Sequence, residues 1–314
     1  MIAGSALKVT RCLSIDDFRN ALQPVESDLV PLSMADFAPV QAELTLPGCS
    51  VYLLKAFPRI LDAVLAPERA LILFTMEDSA AATFNGVELN VPLVGLLRGR
   101  AAYKVIERAA EFNAAISFPS PMRNRGWPAV EDGLHLARLP AVNLQRLRGL
   151  VVRLFVAVSG MTARDLASDI ALGCQESLLA ALDEAFMSSE PLRVDRARSY
   201  RSHLKIVEAI DAAFHANPAA PVYSGALADD IGVSVRTLHN AVTRFRGVSL
   251  HHYLRTKRLW MVRQRLLTGE PSLQVKSAAQ AFGFWHLGEF AAAYGALFGE
   301  VPSQTLARAT SDAI

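Results

Sequence analysis

The chain has 314 residues, 52% hydrophobic and 20% charged, with a formal net charge of +2. That length holds two or three domains with cores of their own, and the composition excludes a disordered or collagen-like chain. Three cysteines, Cys12, Cys49 and Cys174, stand far apart with no CxxC pair, which argues for reduced thiols rather than a disulfide framework or a zinc site. The opening stretch has no apolar run of signal-peptide length, and "LVVRLFVAVSGM", the most apolar later one, is interrupted by Arg153 and too short to span a bilayer. The expectation is a cytoplasmic protein with no membrane partner.

From about 35 to 128 the chain consists of short apolar runs, "QAELTL", "SVYLLKAF", "ALILFTM", "VPLVGLL" and "AAISFP", separated by Pro47-Gly48, Asn85-Gly86, Arg98-Gly99 and Pro119-Ser-Pro121. Runs of this length and spacing predict antiparallel strands closing a sandwich or barrel. "TFNGVEL" is the clearest hairpin, because Asn-Gly accepts the positive φ angles of a tight two-residue turn.

From about 141 to 188 the period becomes helical. Leu144, Leu147, Val151, Leu154 and Val158 form one apolar stripe. A second helix is expected from Thr162, where Thr-Ala-Arg-Asp makes a capping box with Asp165. Leu166, Ile170, Leu178, Leu182 and Phe186 continue its apolar face, with an interruption expected at Gly173. Leu150, Val152 and Phe155 lie off the main stripe, so a homodimer surface and a helical pair packed on its own barrel both stay open. The polar stretch "SSEPLRVDRARSYR" reads as a linker. Expected boundaries are 1–190 for the first domain, 191–199 for the linker and 200–314 for the second domain.

Charge is divided unevenly across that boundary. Residues from 193 onward carry fifteen Lys/Arg against nine Asp/Glu, a net +6, and the first 192 a net −4. A basic C-terminal third suits a polyanionic partner, although a solvated surface accounts for an imbalance of this size equally well.

The C-terminal third reads helical throughout. An opening helix carries Leu204, Val207, Ile210 and Phe214 on one face and stops at Asn217-Pro218. In "SGALADDIGVSVRTLHNAVTRFRG", Leu227, Ala228 and Ile231 mark a short helix, Gly232 the turn and Ser234 the N-cap of the next helix. There Leu238, Val242 and Phe245 point inward, while Arg236, His239, Asn240 and Thr243 fall on the outward face. A long amphipathic helix, "SLHHYLRTKRLWMVRQRLLTG", follows. Leu254, Leu259, Val262 and Leu266 form its apolar face, and Arg255, Lys257, Arg258, Arg263 and Arg265 surround it as a solvated cationic face. The short helix, turn and second helix then recur. Ala279 and Gly283 take the roles of Ala228 and Gly232, and "WHLGEFAAAYGALFG" turns Leu287, Phe290, Tyr294 and Phe298 inward. Small residues at these crossings are what a helix-turn-helix requires.

Two such units on one basic helix resemble the DNA-binding domain of the AraC/XylS family of transcriptional regulators. "LADDIGVSVRTL", "YLRTKRL" and "AAQAFGFWHLGEFAAAYGALFGEVPSQTLAR" carry the resemblance, over roughly 200–308. A weaker likeness, in "SIDDFRNAL" and the strands at 38–118, implies a cupin-like effector or dimerisation domain in front. The implied fold is α+β: a β-rich, cupin-like N-terminal domain with a helical segment, then an all-α double helix-turn-helix domain. The implied partner is double-stranded promoter DNA, with RNA polymerase if the protein is an activator, the direction the family favours. A small-molecule effector and a homodimer are further expectations.

Position by position, the resemblance assigns DNA contacts to Arg236, Thr237, His239, Asn240, Thr243 and Arg244 in the first unit. In the second it assigns them to His286, Gly288 and Glu289, with Ala292 at a matching position. Arg pairs bidentately with guanine and Asn with adenine. This chain departs from the family where Glu289 and Ala292 stand in place of basic residues, and no Lys or Arg lies between Lys276 and Arg308. The second unit should therefore add little electrostatic affinity.

For the N-terminal domain the polar and aromatic residues near the expected rims are Arg98, Arg100, Tyr103, Lys104, Arg108, Arg123, Arg125 and Trp127, a set that would favour an anionic ligand. None of the seven histidines precedes His135, so a metal-dependent cupin enzyme is not expected. The chain lacks GxSxG, HExxH, Walker A and GxGxxG motifs. The acidic pairs Asp16-Asp17, Asp183-Glu184 and Asp229-Asp230 are adjacent, and neighbours on a helix point apart. No catalytic residue, metal or cofactor is expected. Two readings from other classes stay open: a ligand-binding or enzymatic barrel whose C-terminal domain has lost DNA affinity, and a protein-interaction module built on the same helices.

Overall fold

A computed structural model describes residues 7–22, 24–78, 82–89, 92–119, 125–128, 133–161, 169–192 and 197–312. The chain divides into two compact units: Met1–Asp28, Ala38–Phe57 and Leu61–Arg193 form one, and Leu29–Phe37, Pro58–Ile60 and Val194–Ile314 the other.

The N-terminal elements are, in order, β1 (Leu7–Arg11), α1 (Ile15–Ala21), β2 (Val25–Pro31), β3 (Val40–Leu46), β4 (Cys49–Lys55), β5 (Arg59–Leu65), β6 (Arg69–Thr75), β7 (Ala82–Phe84), β8 (Val87–Glu88), β9 (Leu93–Arg98), β10 (Ala102–Glu107), β11 (Phe112–Pro119) and β12 (Gly133–Arg138). The helices α2 (Ala141–Val158) and α3 (Asp169–Met187) and the short strand β13 (Glu190–Pro191) follow. Among the described residues the strands form two sheets, ordered β1-β3-β4-β11-β6-β9-β12-β13 and β2-β5-β10-β7-β8. The pairings are antiparallel through the larger sheet, with Leu44 opposite Val51 and Ile116 opposite both Val51 and Ile72. Each of these alternate residues is buried, as the two-residue period of a half-covered sheet dictates.

The expected hairpin closes at Asn85-Gly86, where both residues take positive φ, and Thr83 faces Glu88 across it. "SIDDFRNAL" forms α1. Ser14 caps it by accepting from the Asp17 N–H while Asp17 accepts from the Ser14 N–H. The apolar runs leave β1, β2, β5, β10 and β12 unannounced. Several of these carry a charged residue mid-strand, such as Asp62 and Lys104, which join in an ion pair at 2.7 Å.

Helices α2 and α3 cover the larger sheet. All five stripe residues of α2 are buried, and Phe155 joins them, because the covered arc is wider than a single stripe. Gly48 N–H, in the turn between β3 and β4, donates to Gln175 Oε1 at 2.6 Å, and Arg148 Nε donates to the Thr75 carbonyl of β6 at 2.8 Å, tying both helices to the sheet beneath. Two expectations for α3 fail. The helix runs unbroken through Gly173, since one glycine costs only about 1 kcal/mol against alanine. Ile170 is 47% exposed, because the covered face of the first turn belongs to Ala171. The expected cap at Thr162–Asp165 and Leu166 lie outside the described residues.

The stretch expected as a linker, 191–199, has Pro191 paired with Ala137 at one end and the first residues of a helix from Ala197 at the other; 193–196 lie outside the described residues. The second unit then contains α4 (Ala197–Ala216), α5 (Ser224–Ile231), α6 (Val235–Arg246), α7 (Leu250–Leu267), α8 (Val275–Ala281), α9 (Leu287–Phe298) and α10 (Pro302–Asp312). Helices α4, α5 and α6 pack with the start of α7 as one lobe; α8, α9 and α10 pack with its end as another.

Candidate nucleic-acid interface

Each lobe presents a helix-turn-helix. Gly232 ends α5 in the left-handed region (φ 76°) and Gly283 follows α8 with φ 83°. A side chain at Gly283 would bring a Cβ within 2.8 Å of the Ala219 carbonyl oxygen, so this turn needs glycine both for φ and for space. Ala228 and Ala279, at the helix crossings, are buried.

Helices α6 and α9 are both twelve residues long and both end on a left-handed glycine, Gly247 and Gly299. Laid end to end, N-cap Ser234 matches His286, and buried Leu238 and Val242 match buried Phe290 and Tyr294. In this register Arg236 corresponds to Gly288, Thr237 to Glu289, Asn240 to Ala292 and Arg244 to Ala296.

On α6 the outward residues are Arg236, Asn240 and Thr243, all exposed, and His239, half-buried. Thr237 turns to the cap instead: its N–H donates to Ser234 Oγ at 3.1 Å and its hydroxyl lies 2.8 Å from the same oxygen. Arg244 lies over the Phe245 ring, 6.0 Å from the centroid. His203 of α4 is held below its usual pKa by burial and by the Arg244 charge.

On α9 the helix starts at Leu287, two residues later than the sequence pattern implies, and His286 at its N-cap makes no side-chain capping bond. Leu287, expected inward, is 37% exposed. At the first position of the helix it lies a turn ahead of the buried face, which Phe290 opens. His286, Gly288, Glu289 and Ala292 are all exposed.

The cations of α7 are not the solvated face expected of them. Lys257 Nζ donates to Asp211 Oδ1 at 3.0 Å, Arg246 Nη2 to Asp211 Oδ2 at 2.5 Å, and the Tyr253 hydroxyl to Asp211 Oδ1 at 2.6 Å. Arg246 is 0% exposed. Burial pushes the Asp211 carboxyl up, but these two cations and the Tyr253 hydroxyl outweigh it and hold the group below the usual carboxylate range. The second lobe repeats the device. Arg263 Nη1 lies 2.7 Å from Glu300 Oε1, which also accepts from Thr305 Oγ1 at 2.8 Å, and Arg308 Nη1 lies 2.8 Å from Glu300 Oε2. Here too burial raises the carboxyl, and Arg308, Thr305 and Arg263 bring it below its ordinary value.

Arg258 donates to the carbonyls of Pro218 and Ala220, and its burial lowers its pKa. Arg265 pairs with Glu270. Of the five cations, Arg255 makes no ion pair or hydrogen bond among the described residues. Unburied cations are cheap and buried ones are kept only when paired, so a helix gripped on several sides consumes its charges. The sequence held one signal for this: Asp211 shares the apolar face of Val207 and Phe214 in α4, a place where a carboxylate needs a partner.

Several of the residues near the expected rims, candidates for an anionic ligand but read first as surface or hairpin residues, have structural partners. Tyr103 is buried and stacked on Phe84 with centroids 5.3 Å apart. Lys104 pairs with Asp62, and Arg125 grips Asp183 through two bonds of 3.0 and 2.7 Å. Trp127 Nε1 donates to the same carboxylate at 2.6 Å, and its ring packs on Phe118 and Phe186. Arg125 is the main reason the Asp183 pKa lies low. Arg98 is half-buried, Arg100 and Arg108 are exposed, and Arg123 lies outside the described residues. No described helix is long and apolar enough to cross a membrane.

Comparison with known proteins matches residues 227–308 to a family described as "Helix-turn-helix domain". The XylDLEGF operon transcriptional activator of Pseudomonas putida is 37% identical over 83 residues, 26% of this chain and 25% of that protein. The probable thc operon regulatory protein of Rhodococcus erythropolis is 34% identical over 87 residues, 27% of this chain and 26% of that one. A solved structure of a probable AraC family transcriptional regulator from Rhodopseudomonas palustris CGA009 is 34% identical, covering 33% of this chain and 97% of that one, with a TM-score of 0.32. The chain thus spans about a quarter of the length of the curated relatives it matches.

Proposed function

We propose, because this chain belongs to the AraC/XylS family through its C-terminal helical unit, that it is a sequence-specific DNA-binding transcriptional regulator. The observation that carries this reading is the pair of matched helix-turn-helix lobes on one helix, α7, with the outward face of α6 built of Arg236, His239, Asn240 and Thr243. Arg236 and Asn240 are both exposed on α6, one turn apart, which supports assigning them bidentate contacts with guanine and adenine, each contact worth ~1–3 kcal/mol of discrimination. Arg255, with exposed Lys205 and Lys276, supplies phosphate contacts. The relatives' printed names include an activator, and activation, with RNA polymerase as partner, is the direction proposed.

The β-rich unit is proposed as the regulatory half, answering an effector by shifting the populations of arrangements that place the reading helices on DNA. Val152, Val156, Ile170 and Leu172 leave apolar surface exposed on α2 and α3, which supports a homodimer. The cytoplasm is the proposed place of action. Electrophoretic mobility shift of the full chain against a random duplex pool at low salt tests the central claim. Enrichment of a defined sequence is the expected result. A folded protein that retains no duplex in dilute buffer would refute it.

A further inference from the structure

The second lobe poses a chemical question that the first does not. From Gly288 to Ala296 every side chain of α9 not turned into the lobe ends at Cβ or is absent, Glu289 excepted. In front of that bare strip stand Trp285, 71% exposed, and Leu287, 37% exposed. Two large apolar groups thus meet water at the head of one helix, in a stretch with no Lys or Arg between Lys276 and Arg308, and neighbouring exposed apolar groups of this kind suit a partner that covers them. The register of the two helices says where that partner lies. Leu287 holds in α9 the place that Val235 holds in α6, directly ahead of the Arg236 position, and the bare strip replaces Asn240 and Arg244 with alanines.

Duplex DNA offers one apolar feature in its major groove, the C5-methyl group of thymine. Leu287 and the apolar ring of Trp285 discriminate there by contact, and a helix stripped to Cβ lies closer to the base edges than one bearing arginines. The first N–H groups of α9, uncapped by a side chain, remain available to a phosphate oxygen at the groove edge. Glu289 in the same turn repels phosphate and accepts only from a base donor such as cytosine N4.

We infer that the second lobe reads its segment of the duplex through thymine methyl groups, with Trp285 and Leu287 as the contacting residues and Gly288 and Ala292 permitting the close approach. The inference rests on the regulator reading above. It assigns the two lobes different chemistries, hydrogen bonds from α6 and apolar contact from α9.

The test uses the full chain and duplexes selected from a random pool. Two read segments are expected, and the one whose base preferences survive Arg236→Ala belongs to the second lobe. That segment should be rich in thymine. Replacing its thymines with uracil removes only the methyl groups, and should weaken binding about fourfold for each contacted methyl, as loss of ~0.8 kcal/mol per buried carbon implies. The Trp285→Ala/Leu287→Ala double variant should bind thymine and uracil duplexes alike while keeping its preference in the Arg236 segment, which also verifies its folding. Uracil having no effect on the unaltered protein, or an equal effect on the variant, overturns the inference and leaves the regulator reading intact. So does a variant that loses transcriptional activation but no DNA affinity, since Trp285 then meets a protein. A pool that yields no enriched duplex at all removes the regulator reading together with this one.

Discussion

Lys257 of α7 places its ammonium 3.0 Å from the carboxylate of Asp211 in α4, so a cation that the sequence pattern sets on a solvated helix face is spent inside the first lobe. The same Lys257 lies over the Phe214 ring at 5.1 Å. Its work is to hold two helices together, and the electrostatic footprint of the domain is smaller than its count of basic residues.

That difference shows in salt dependence. Each phosphate neutralised contributes about 0.9 to the slope of log affinity against log salt. Arg255→Ala should lower the slope by about one, whereas Lys257→Met, in any preparation that remains folded, should leave it unchanged. Filter-binding titrations between low and physiological salt read both.

Asp211 should be among the most sensitive positions for the stability of the second unit. Asp211→Ala leaves Arg246 and Lys257 buried without their carboxylate, and breaking a buried pair in this way costs about 3–5 kcal/mol. The effect is measured by chemical denaturation of the full chain, followed through the buried Trp260. The pH dependence follows in sign. Because the folded-state pKa of Asp211 is depressed, its contribution is fully present above the unfolded value near ~3.9 and lost as pH falls below it through the folded pKa. Glu300 behaves alike. Asp211→Asn should flatten the acid limb of the thermal midpoint, and an unchanged limb would show that Asp211 is not its source.

Arg236→Ala and Glu289→Ala should differ on a selected duplex. The first removes a base-reading cation and costs ~1–3 kcal/mol. The second removes a carboxylate from a face that meets phosphate, so affinity should hold or rise. Mobility-shift titration compares them, and equal losses would count against the division of labour between the lobes.

The two turn glycines should tolerate substitution unequally. Both have positive φ, which disfavours alanine by roughly 1 kcal/mol. At Gly232 an added Cβ meets nothing within 4 Å, whereas at Gly283 it falls 2.8 Å from the Ala219 carbonyl oxygen. Gly283→Ala should therefore lower the thermal midpoint of the second unit further than Gly232→Ala.

What the sequence determined by itself was local. Asn85-Gly86 is a turn wherever it stands, Ser234 caps the helix behind it, and the spacing of Leu238, Val242 and Phe245, repeated in Phe290, Tyr294 and Leu297, marks the second helix of each helix-turn-helix lobe. These follow from φ preferences, capping and a 3.6-residue period, all acting within a few residues. Only the tertiary structure decided which charges meet solvent. Asp211 and Lys257 are 46 residues apart, and Asp183 and Arg125 are 58 apart. No local period reveals that such groups neutralise each other, because their pairing depends on which helix faces are brought together in three dimensions.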